Sequence, residues 1–146
     1  MDGLTIRTAT LDDVVEMHRI ENICFPPDEA ADLEGVRYRI ANASKYFSIL
    51  ENGSSICGFI NGTCVADTVI HHDSMSTHNP DGATLVIHSV SIVPEMRRQK
   101  LGTGFLKRYM DNIINNKDYT NITRVLLLTH AYLLPFYSEV LAMWFY

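Results

Sequence analysis

The chain contains no apolar run approaching the ~18–20 residues that a membrane-spanning helix needs. Its first residues, MDGLTIRTATLDDVVEM, lack the basic start and apolar block of a secretory signal. Cysteine is scarce. Cys24, Cys57 and Cys64 are odd in number and form no CxxC pair, which argues against a disulfide framework and against a zinc site. Positive charge is in deficit, with 12 Lys and Arg against 17 Asp and Glu, so the chain as a whole has no electrostatic pull on nucleic acid. A local basic patch is still open. These absences lead us to expect a reduced, soluble, cytoplasmic protein with no membrane partner, no nucleic-acid partner and no bound metal. Nothing in the sequence sets an oligomeric state.

What is present is enough for one core. The 146 residues are 47% hydrophobic and 20% charged, a size and balance typical of one ordinary domain. No repeat or low-complexity linker divides them, so residues 1–146 are expected to form a single domain.

Leu4–Thr8 reads as a strand, and Thr10 with Asp13 three residues later reads as a capping box for the helix carrying Val14, Met17 and Cys24. Phe25-Pro26-Pro27 ends that helix, because a prolyl ring turns the preceding residue away from helical angles. Asp28 is the expected cap of a second helix bearing Leu33, Val36, Ile40 and Ala43. Strands follow over Tyr46–Leu50, Ile56–Val65 and Leu85–Val93, the first two joined by an Asn-Gly turn. Leu101–Ile114 is an amphipathic helix, Arg124–His130 a buried strand, and a last helix opens at Leu134 or Pro135. The order β-α-α-β-β-β-α-β-α predicts an α/β fold with a mixed sheet.

The chemistry concentrates where the best strand meets the best helix, in VPEMRRQKLGTG (93–104). Two arginines and a lysine precede small residues at a helix start, where unpaired N–H groups and the positive dipole end favour an anion. A diphosphate fits such a turn, and so does a plain solvated basic loop. The Walker sequence needs Lys-Ser/Thr after its glycines and the dinucleotide fingerprint needs three glycines, so both fit worse.

RRQKLGTGFLKRYM resembles the pyrophosphate-binding motif of the GNAT superfamily of acetyl-CoA-dependent N-acetyltransferases, Arg/Gln-x-x-Gly-x-Gly/Ala. In that register Arg97 takes the first place, Lys100 stands where the first glycine falls, and Gly102 is the second. The blocks FPPDEAADLEGVRYR, GFINGT, DSMSTHNPDG, IHSVSIVPEMRRQ and LLPFY are similar to the serotonin (arylalkylamine) N-acetyltransferase branch, fungal and invertebrate type. The resemblance implies acetyl-CoA as cosubstrate and a small-molecule amine as acceptor. It implies a diphosphate on Arg97, Arg98, Gln99, Lys100, Leu101, Gly102, Thr103 and Gly104, with the pantetheine arm along Val90, Ser91, Ile92 and Val93. Phe25 and Pro26 match the loop over the amine pocket, Thr63 a cavity hydroxyl, and Leu128, Thr129 and His130 a substrate-proximal strand end.

His88 matches one of two active-site histidines of the vertebrate enzymes, and Val86 stands at the other. By itself a strand histidine is more often structural, and it is the resemblance that makes His88 a base; its pKa near ~6.5 suits that role, and an alkyl ammonium must lose a proton before it can attack. Tyr137 matches the tyrosine beside the CoA sulfur, as acid to the thiolate or as its positioning group; a phenol of pKa ~10 carries the needed proton. His71, His72 and His78 lie in a polar loop without a carboxylate framework, which disfavours metal binding. Leu141 and Ala142 occupy the places of a Gly-Phe pair in the family, and the sequence ends in LAMWFY. The expectation is an altered, shortened C-terminus in which the fold's final strand is missing. Polyamines are the alternative acceptors. A catalytically impaired acyl-CoA-binding remnant and a nucleotide-binding module are the non-enzymatic rivals.

Overall fold

The computed structural model describes residues 3–66, 77–127 and 136–138. The chain begins with strand β1 (Thr5–Thr8), helix α1 (Val14–Cys24) and helix α2 (Leu33–Ala43). Strands β2 (Ser48–Asn52), β3 (Ser55–Val65) and β4 (Thr84–Ile92) follow, then helix α3 (Leu101–Asn115) and strand β5 (Arg124–Leu127). Residues 136–138 are helical, as expected for the last element, while residues 128–130 of the expected strand Arg124–His130 lie outside the described residues.

The local signals explain most boundaries. The Asp13 carboxylate accepts the Thr10 N–H at 2.8 Å and grips Arg7 through both oxygens at 2.8 Å, so the box that starts α1 is also tied to β1. Phe25 is extended at φ −126°, ending α1 before the prolines. The cap of α2 is Asp32, not Asp28: its Oδ1 accepts the Gly35 N–H at 2.7 Å. The displacement has a local cause. Glu29 and Ala30 both donate N–H to the Pro26 carbonyl at 2.9 Å, so this stretch closes a turn of its own and α2 starts only beyond it. Tyr46 likewise lies in a one-turn helix (Ser44–Tyr46) and not in β2.

The sheet order is β1-β2-β3-β4-β5, antiparallel except for β4 and β5, which run parallel with α3 as their crossover. The β3–β4 register sorts the side chains. Ile60, Cys64, Leu85 and Ile87 pack with Phe105, Leu106 and Met110 of α3. Phe59 packs on the other face, with Met17 and Ile20 of α1 and Val36 and Ile40 of α2. Asn61 pairs with Ser89 but Gly62 pairs with Ile87, which leaves His88 with no residue opposite it. His88 is therefore the extra residue of a β-bulge, the device that re-aims one side chain out of simple alternation.

Candidate functional site

A cavity of about 730 Å³ opens where β4, the turn after it, the start of α3 and the α1–α2 connection meet. One wall is the edge of β4. Val93 N–H bonds the Cys57 carbonyl at 2.8 Å, which makes Gly58↔Ile92 and Ile60↔Val90 the non-hydrogen-bonded pairs of this ladder. The backbone N–H and C=O of Val90 and Ile92 are thus turned away from β3. Pairing with β5 reaches Ile87↔Leu127, so among the described residues no strand covers this part of the edge. The Ile92 carbonyl accepts from Arg97 Nε at 2.9 Å and from Cys24 Sγ at 3.7 Å. Burial pushes the Cys24 thiol above its usual pKa, against a smaller opposing pull from Arg97.

The second wall is the turn into α3. The first backbone bond of the helix runs from Gly104 N–H to the Lys100 carbonyl at 3.3 Å, so the N–H groups of Leu101, Gly102 and Thr103 have no partner within it. Lys100 caps the helix in the left-handed region at φ +60°, and Arg98 sits there too at φ +67°. For a side-chain-bearing residue this costs about 1–2 kcal/mol, which explains why glycine suits the place Lys100 occupies. Arg97, Arg98 and Lys100 all reach the cavity, so three cations face the open helix end. Gly102 lies under the Phe136 ring; a Cβ there would touch it at 3.5 Å and Ile92 at 3.8 Å.

Cys24, Phe25, Pro26 and Glu29 form the third side, and Phe136 and Tyr137 close over the start of α3. The expected residues Phe25, Pro26, Val90, Ile92, Arg97, Arg98, Lys100, Leu101, Gly102, Thr103 and Tyr137 are therefore brought together at one cavity. Ser91, Val93, Gln99 and Gly104 do not line it: Ser91 and Val93 are buried, Gln99 is exposed, and Gly104 already belongs to the hydrogen-bonded helix. Leu128, Thr129 and His130 lie outside the described residues. The sequence reading missed Cys24, Glu29, Met96 and Phe136 as wall residues; Cys24, Met96 and Phe136 were signalled only by adjacency to Phe25, Arg97 and Tyr137, and Glu29 by nothing.

His88 and Thr63 also stand apart from the cavity wall. Nε2 of His88 is 2.8 Å from Thr63 Oγ1, and Nδ1 is buried without a partner. Burial, with a smaller contribution from the Arg39 charge, pushes the imidazole pKa down to about 3, so the ring is neutral at physiological pH. Close by, Arg39 donates to Asn61 Oδ1 at 3.2 Å and Ser89 Oγ to Glu21 Oε2 at 3.4 Å. His78 accepts the Cys64 N–H at 2.9 Å as a structural group. Among the described residues no three His, Cys, Asp or Glu side chains gather as a metal site; His71 and His72 lie outside them. No described helix is long and apolar enough to cross a membrane.

Among the described residues, an uncovered strand edge leads to a cationic helix start. The acetyltransferase (GNAT) domain family matches residues 5–138, and the chain belongs to that family. The uncharacterized N-acetyltransferase YkwB of Bacillus subtilis (strain 168) is 27% identical over 121 residues, which cover 70% of this chain and 51% of YkwB. The chain thus spans about half the length of the curated relative it matches. The loading GNATL domain of CurA from Lyngbya majuscula superposes with a TM-score of 0.78 at 21% identity, over 92% of this chain and 69% of that one. The GphF GNAT-like decarboxylase, solved with isobutyryl-CoA, gives 0.77 at 18% identity over 92% and 70%.

Proposed function

We propose that residues 1–146 act as one N-acetyltransferase domain that moves an acetyl group from acetyl-CoA to the primary amine of an arylalkylamine. The observation that carries this reading is the joining of two features at one cavity. The outward N–H and C=O of Val90 and the N–H of Ile92 suit the amides of a pantetheine arm, the Ile92 carbonyl already accepting from Arg97. The free N–H groups of Leu101, Gly102 and Thr103, among Arg97, Arg98 and Lys100, suit a diphosphate. Phe25 and Pro26 offer an apolar slot for an aromatic amine at the far side.

In this reading the amine nitrogen attacks the thioester carbonyl, the C–N bond forms as the C–S bond breaks, and Tyr137 protonates the departing thiolate. N–H groups of the open β4 edge stabilise the oxyanion. His88, set apart from the cavity wall with Nδ1 unpartnered, is not the proton's resting place. Burial holds its imidazole pKa down at about 3, far below an alkyl ammonium near ~10, so the amine's proton passes to solvent in this reading. A second acceptor class, polyamines, is favoured by Glu29, an acidic residue that lines the cavity with Phe25 and Pro26.

The test is thiol release from acetyl-CoA with tryptamine, phenylethylamine, spermine and a lysine peptide, on the wild type and Tyr137→Phe. Turnover with the aromatic amines that falls roughly 10²-fold in Tyr137→Phe is expected. Preference for spermine would shift the substrate to polyamines. Silence with every amine, with acetyl-CoA still raising Tm, would replace the enzyme with a binding remnant.

A further inference from the structure

Glu21 is a carboxylate in the interior, 3% exposed, on the inward face of α1. Burial raises its pKa, and the Arg39 charge partly offsets that cost. Taking a carboxylate out of water costs several kcal/mol even after relaxation, so its bonds are the place to look for its use.

Those bonds bracket the cavity's amine-side wall. The Glu21 backbone carbonyl accepts the Phe25 N–H at 3.0 Å, and its Oε1 accepts the Ala31 N–H at 3.2 Å. Between these two points lie Phe25, Pro26 and Glu29, the residues this connection contributes to the cavity. Oε2 accepts from Ser89 Oγ at 3.4 Å, and Ser89 precedes Val90 in the strand that forms the opposite wall. One side chain thus holds the connecting loop with one oxygen and β4 with the other. The turn inside the bracket is closed by the Pro26 carbonyl, so the segment can shift as a unit if its outer tie is cut.

We propose that Glu21 is a positioning residue that sets the spacing between the Phe25–Glu29 wall and β4, and through it the fit of the amine. This rests on the amine-pocket reading above. It differs from a base role, because Glu21 acts on the loop and not on the reacting atoms.

The experiment compares Glu21→Ala, Glu21→Gln and Ser89→Ala by amine kinetics, acetyl-CoA titration and amide hydrogen exchange over residues 25–31. Glutamine keeps an acceptor for Ala31 N–H and a donor for Ser89 Oγ. Loss of the buried hydrogen bond to Ala31 N–H, which glutamine keeps and alanine does not, corresponds to up to about tenfold in binding. Glu21→Ala should therefore raise the amine KM about tenfold with kcat and acetyl-CoA affinity little changed, and speed exchange at Ala31. Glu21→Gln should restore both, and Ser89→Ala should show a smaller effect of the same kind, keeping the test open if Glu21→Ala fails to fold. Equal loss of kcat in Ala and Gln variants, or unchanged exchange over 25–31 in Glu21→Ala, would overturn the proposal. A wild type inert to all amines would sink the acetyl-transfer reading, while the exchange data would still decide the bracket.

Discussion

His88 carries a consequence that can be measured without any substrate. Its folded pKa of about 3 lies below its ordinary 6.5 because the buried ring resists charging. A depressed pKa means that the unfolded chain takes up the proton first. The stabilising contribution is complete above about pH 6.5 and is lost as the pH falls toward about 3, at about 1.4 kcal/mol per pH unit. Burial lowers the His78 pKa in the same sense, whereas the raised pKa of Glu21 works in the opposite one. The difference between wild type and His88→Gln isolates the one residue. Urea unfolding at pH 7 and pH 5 should show a markedly smaller loss of stability in His88→Gln; equal losses would mean that the ring is not buried neutral. The sequence named His88 but could not show which way it points. A bulge depends on how two strands pair, and nothing in Ile87-His88-Ser89 announces it.

At the scale of elements, the start of α3 is the most legible part of the site. The amphipathic run from Leu101 and the cations before it were readable directly, and the helix begins at Leu101 as the spacing requires. Less legible were the features set by partners distant in sequence: the cap at Asp32, the burial of Ser91 away from the cavity, and Glu21 beneath the loop. Gly102 offers a test specific to this element. A Cβ there meets Phe136 and Ile92 only at ordinary contact distances, so the fold accepts alanine. Removing glycine from a helix contributes up to about 0.5–1 kcal/mol of stability. The same methyl enters the cavity between two wall residues. Gly102→Ala should therefore keep or raise Tm while weakening acetyl-CoA binding, as read by calorimetry; a fall in Tm with affinity unchanged would show the glycine to be purely structural.

For the whole molecule, the sheet divides the interior into two cores, one under α3 and one under α1 and α2, and the cavity lies where elements from both sides meet at the end of β4. In the proposed reading the cofactor side draws on β4 and α3, and the amine side on the α1–α2 connection. In that reading the acceptor is the less legible half of the sequence, because its wall comes from an irregular connection and not from a motif. The central claim is that this cavity seats acetyl-CoA. Calorimetric titration of the wild-type chain with acetyl-CoA and with ATP, at two ionic strengths, tests it most directly. The account predicts one acetyl-CoA per chain, bound more tightly than ATP, with affinity falling as added salt screens Arg97, Arg98 and Lys100. Tighter binding of ATP, or no heat with acetyl-CoA at either salt concentration, would contradict it.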